Sequence, residues 1–118
     1  MALCGDKIDL YSGNDDQIVP LLSLGGKGVI SVLSNVLPKK TVEMCDKFFA
    51  GDVKGSAKIQ LELIPLINAL FCEVNPIPVK AAMTMMGCDV GRCRMPLSPI
   101  NKANKEILIK ALKNHNLI

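Results

Sequence analysis

A chain of 118 residues is the length of one domain and is long enough to bury a core of its own. With 49% hydrophobic residues, a mean hydropathy of +0.31 and no apolar run near the roughly 18 residues of a membrane span, the composition excludes a spanning helix, yet it leaves more apolar surface than a lone domain needs, which points to a missing partner surface. The net charge of +3 is spread in blocks no longer than Lys39-Lys40, and three Phe and one Tyr offer little base stacking, which argues against nucleic acid as the main partner.

Residues 1–3 are too short, and lack the basic start, for a signal peptide; they read as the end of a helix whose earlier turns are absent. After a turn at 4–7, residues 8–12 predict a strand with Ile8, Leu10 and Ser12 on one face and Asp9 and Tyr11 on the other, burying as it runs. Residues 17–24 predict a short helix capped by an aspartate of the Gly13-Asn14-Asp15-Asp16 turn and stopped at Gly25. The stretch LGGKGVISV at 24–32 then reads as helix end, tight turn and buried strand. Its glycines precede the strand, whereas a phosphate-cradling loop places them between strand and helix, so the context argues against a nucleotide loop. Strand, helix, strand implies parallel strands with a right-handed crossover, whose following loops share one face; that is the face where α/β folds bind ligands.

Beyond the second strand the pattern turns helical. Residues 33–37 read as a loop, and Pro38 suits the first turn of a helix reaching Ala50, with Val42, Cys45, Phe48 and Phe49 as its packed face and Gly51 as its stop. Asp52 caps a longer helix to about Phe71, with the stripe Gln60, Leu63, Ile64, Ile67, Leu70 and Phe71, and Pro65 predicts a kink or a join. Asn75 is expected to cap a helix that ends at Gly87, with Pro76 and Pro78 in its first turn. Residues 88–98 form a loop, and Ser98-Pro99 opens a last helix facing inward with Ile107, Leu108, Ala111 and Leu112. The five cysteines form no C-x-x-C pair, and an odd number without a secretory signal fits a reducing cytoplasm, where Cys88 and Cys93 read as small packing residues rather than metal ligands. His115 is the single histidine.

Two parallel strands with two open edges are an incomplete sheet. The motifs SGNDD (12–16), LGGKGVISV (24–32), AGD (50–52), NPIPVK (75–80), RMPLSPI (94–100) and ALKNHNLI (111–118) together resemble the C-terminal part of the dihydrodipicolinate synthase family, over essentially the whole chain. That resemblance implies an α/β fold: the last two βα units of a (β/α)8 barrel at 1–50, then a C-terminal helical region at 51–118, mostly helical when taken alone. It also implies kinship with the N-acetylneuraminate lyase group of Schiff-base aldolases. In that family pyruvate condenses with aspartate semialdehyde in lysine biosynthesis, through an iminium between pyruvate and a lysine. The iminium acts as an electron sink that lets the adjacent methyl lose a proton.

The family's lysine, proton-shuttling tyrosine and threonine pair lie in earlier strands, so no catalytic residue, metal or cofactor is expected in this chain. Tyr11 lies outside the tyrosine motif, and Lys27, Lys39 and Lys80 flank elements rather than occupy a strand's inward face. Ile30 carries over as a wall of the pyruvate pocket, and a packed barrel-core residue is its alternative role. Gly13 and Asn14 carry over as the rim of that pocket, although the family more often has aspartate at the latter. Expected partners are the missing N-terminal part or further copies of the chain, in the cytoplasm.

Overall fold

A computed structural model describes all residues, 1–118. The chain divides into two compact units, Met1–Leu63 and Ile64–Ile118. The first opens with a single turn in which the Gly5 N–H donates to the Met1 carbonyl (2.8 Å), running into a 3-10 turn at Gly5–Lys7.

Strand β1 (Tyr11–Ser12) and strand β2 (Gly28–Val29) pair in parallel, with Tyr11 opposite Gly28 and Ser12 opposite Val29. Both strands are shorter than predicted. One bond beyond each end, Lys27 N–H to the Leu10 carbonyl (2.7 Å) and Ile30 N–H to the Ser12 carbonyl (2.9 Å), completes the ladder. The predicted strand through Val32 stops early because the N–H groups of Val32 and Leu33 point at a carboxylate instead of a neighbouring strand. Burial does deepen along the first strand, from exposed Ile8 through half-buried Leu10 to buried Ser12, with Tyr11 exposed on the other face.

Between the strands lie a 3-10 turn at Asp15–Gln17 and helix α1 (Ile18–Ser23), which buries Ile18 and Leu22. The predicted aspartate cap on this helix is absent: Gln17 occupies the cap position without a side-chain bond. Two glycines make the return possible. Gly25 takes φ +91°, and a side chain on Gly26 would sit 2.7 Å from the Leu21 carbonyl oxygen, which accepts the Gly26 N–H (2.9 Å). After β2 the expected loop contains a 3-10 turn at Leu33–Asn35 that buries Leu33.

Helix α2 (Pro38–Phe49) starts at its proline as predicted, because the N–H that proline lacks has no partner in a first turn anyway. Its buried face is Thr41 and Met44, not the predicted Val42, Cys45, Phe48 and Phe49; Val42 and Phe49 are more than half exposed. The packed face is rotated by one residue because the Thr41 hydroxyl donates to the Leu37 carbonyl one turn back (3.0 Å), which lets a polar residue go inside.

Helix α3 (Val53–Leu70) is capped by Asp52, whose Oδ1 accepts the Gly55 N–H at 2.9 Å. It runs unbroken through Pro65, and the border between the two units falls just before that residue. Gln60, Leu63, Ile67 and Leu70 of the predicted stripe are buried, joined by Ile59, Leu66 and Ala69, while Phe71 stays exposed.

In the second unit, helix α4 (Ile77–Met85) follows a cis Asn75–Pro76 bond; Pro76, not the predicted Asn75, occupies the position before its first turn, and no side chain caps it; Gly87 ends it at φ +88°. Helix α5 (Lys102–Asn114) begins later than the predicted Ser98-Pro99 start. Asn101 is its cap, accepting the Asn104 N–H at 2.9 Å, and no side chain at 98 or 99 makes such a bond. Its inward face is Leu108, Ala111 and Leu112; Ile107, predicted inward, is half exposed because it sits one step round the helix. Glu73 receives the Asn101 N–H (2.9 Å) and the Asn104 amide (3.0 Å), which fixes where α5 can start.

Candidate functional site

The parallel register decides which residues share the carboxyl end of the strands. With Ser12 opposite Val29, the next residue on each side is Gly13 and Ile30, so both lie just past the carboxyl ends of β1 and β2. Ile30 is 77% exposed while its N–H is spent on the Ser12 carbonyl. Gly13 is exposed with open space where a side chain would start. Asn14 is exposed and its backbone is fixed by its neighbours: its carbonyl accepts the Ser12 hydroxyl (2.7 Å) and the Gln17 N–H (3.2 Å). The three residues that the sequence singled out therefore sit at one end of one strand pair.

Sequence reasoning missed the residue that ties this end together. The Asp15 side chain is buried at 1% exposure; it accepts the Ser31 hydroxyl on Oδ1 and, on Oδ2, the N–H groups of Val32 (2.9 Å) and Leu33 (3.0 Å). It therefore caps the turn after β2, sixteen to eighteen residues away, instead of its own helix. Gln60 of α3, also buried, donates to the Asp15 carbonyl (2.9 Å) and accepts the Val19 N–H (3.2 Å). Ser31 in turn accepts the Ser34 N–H at 2.8 Å. The only sequence signal was an acidic residue at a strand end, and nothing local says that its partners lie in the next loop.

The lysines weighed as amine nucleophiles are on no strand. Lys27 is exposed before β2, Lys39 is exposed in the first turn of α2, and Lys80 is half buried within α4. All five cysteines are free thiols, and no group of three or more His, Cys, Asp or Glu side chains is placed to hold a metal ion. Burial pushes the Cys45 thiol pKa up, with Asp46 adding to it, and burial does the same to Cys72 beside Glu73. No helix is long and apolar enough to cross a membrane. In the second unit a groove of about 550 Å3 is lined by residues of α4 and the 91–100 segment, among them Ile77, Lys80, Ala81, Arg92, Leu97 and Ile100.

A parallel strand, helix, strand unit with its candidate residues at the carboxyl ends, continued by helices, is the local architecture of α/β proteins, a class whose ligand sites lie at strand-end loops. The chain belongs to the dihydrodipicolinate synthetase family, whose model matches residues 1–115. It is 56% identical over 118 residues to 4-hydroxy-tetrahydrodipicolinate synthase of Acetivibrio thermocellus, covering 100% of this chain and 40% of that protein. It is likewise 56% identical over 115 residues to the synthase of Clostridium novyi, covering 98% and 39%. Among solved structures, it matches a dihydrodipicolinate synthase at TM-score 0.92 and 46% identity, covering 95% of this chain and 39% of that one. The Thermotoga maritima enzyme matches at 0.90 and 46%, covering 93% and 37%. The chain thus spans about two fifths of the length of the relatives it matches.

Proposed function

We propose that this chain is the C-terminal portion of a 4-hydroxy-tetrahydrodipicolinate synthase: the last two βα units of a (β/α)8 barrel at 1–50 and the helical region at 51–118. In the whole protein, which condenses pyruvate with aspartate semialdehyde through a lysine Schiff base, Ile30 walls the pyruvate pocket and Gly13 and Asn14 form its rim. The observation that supports this reading is the parallel register, which brings these residues from two separate motifs to the carboxyl ends of adjacent strands, the end at which α/β folds bind ligands. Alone, the chain supplies pocket wall and no imine-forming amine on a strand, because neither Tyr11–Ser12 nor Gly28–Val29 contains a lysine and Lys27, Lys39 and Lys80 only flank or lie within other elements. The whole protein is placed in the cytoplasm in this reading.

Incubation with pyruvate and borohydride followed by intact-mass measurement tests this. No adduct is expected; a stable adduct on any of these lysines overturns the account of an inactive piece.

A second reading has its own support. Each strand of the pair has one free edge, and Ile30, Leu24 and Leu61 are each at least two-thirds exposed, as in a chain that associates with further copies of itself or with the complementary part of the family's fold. Light scattering decides: a clean monomer at high concentration counts against self-association.

A further inference from the structure

Asp15 is buried at 1%, yet its carboxylate serves no element of its own neighbourhood. Its three partners, the Ser31 hydroxyl and the N–H groups of Val32 and Leu33, are the residues that follow Ile30. On the other side of Ile30 the chain is held by the Ile30 N–H bond to Ser12 and by the strand pairing of Val29. Ile30 is therefore suspended between a backbone ladder and a side-chain clamp, and its own side chain is free at 77% exposure.

We propose that Asp15 is a positioning residue that sets where Ile30 stands at the strand end. Gln60 holds the backbone of Asp15 and Asp15 holds the loop after β2, so helix α3, the loop after β1 and the loop after β2 form one connected polar chain ending beside Ile30. The number of bonds makes the clamp specific: one side chain here satisfies two backbone donors and a hydroxyl together. An apolar side chain at this position would leave the Val32 and Leu33 N–H groups without partners, and the loop would turn to find them. The consequence for pyruvate rests on the pocket-wall role proposed for Ile30; the clamp itself does not, and its test contains no pyruvate.

The test is amide hydrogen exchange and methyl NMR on the whole chain with Ile30 labelled, for Asp15→Ala, Asp15→Asn and Ser31→Ala. In Asp15→Ala the Val32 and Leu33 amides exchange about tenfold or more faster and the Ile30 methyl resonance moves, while the Ala111 and Leu112 amides keep their rates. Asp15→Asn restores part of the protection, because its carbonyl oxygen still accepts an N–H. Ser31→Ala moves the Ile30 methyl less than Asp15→Ala does. If Asp15→Ala does not fold, the other two variants decide: local loss of protection at Val32 and Leu33 with a moved Ile30 methyl supports the clamp. Wild-type exchange at Val32 and Leu33, an unmoved Ile30 methyl, or a uniform rise at every amide overturns it. A lack of pyruvate binding in a reassembled enzyme sinks the pocket-wall role and leaves this result standing.

Discussion

The two compact units of this chain are held in different ways. In Met1–Leu63 the decisive ties are polar and directional: Asp15 to the loop after β2, Gln60 to Asp15 and Val19, and the Ser56 hydroxyl to the Met44 carbonyl at 2.7 Å, all with their polar groups satisfied. In Ile64–Ile118 the interior is apolar, with Ile77, Val79, Ala82, Leu108 and Leu112 buried, and the polar ties sit at the edge, where Glu73 meets Asn101 and Asn104. Apolar burial tolerates small shifts, whereas a buried carboxylate specifies one geometry, so the unit with the candidate site has the more exacting construction.

The contrast makes graded predictions. The largest effect belongs to the apolar unit: Leu112→Ala, which empties a fully buried position, is expected to cost roughly 4 kcal/mol by urea denaturation followed by circular dichroism. Asp15→Ala comes next at roughly 3 kcal/mol, from two N–H donors left unpaired. If it costs under a third of that, the first unit is not organised by its polar ties and the comparison fails.

Asn101→Ala removes the cap of α5 and costs about 1 kcal/mol, while Asn101→Asp keeps it; equal stability of all three would show that Glu73 alone sets the start of the helix. Asp52 offers a pH test. The Gly55 N–H, and then Lys47 at 3.1 Å, hold its carboxyl below the usual carboxylate range, so its contribution to stability is present above the unfolded carboxylate pKa and fades as pH falls through that value towards the folded one. The melting-temperature gap between the native chain and Asp52→Asn therefore narrows on going from neutral to strongly acid pH, and a constant gap refutes the assignment. Smallest is a difference in thiol reactivity: an alkylating reagent labels exposed Cys4 and Cys88 before the half-buried Cys45 and Cys72, whose thiol pKa burial raises.

Element type was legible where signals are local. Gly25, Pro38, Gly51, Asp52 and Gly87 stand where turns, first turns and caps require those residues, and the parallel strand pair followed from its short helical crossover. Helix faces were legible only in part. On α2 a threonine bonded to its own helix replaced the apolar face that hydrophobicity alone selects, and on α5 the cap at Asn101 shifted the start. Gln60 was read as a member of an apolar stripe, and its burial is correct, but its reason is two hydrogen bonds.

The sequence by itself determined the helical content, the strand order, the turn residues and the motifs that carry membership of the family, because each depends on neighbours within a turn or on the linear order of residues. Only the tertiary structure decided what Asp15 does. A carboxylate in a strand-end loop bonds whichever donors the fold brings to it, and here those donors belong to a loop that reaches Asp15 only after the crossover has laid β2 beside β1.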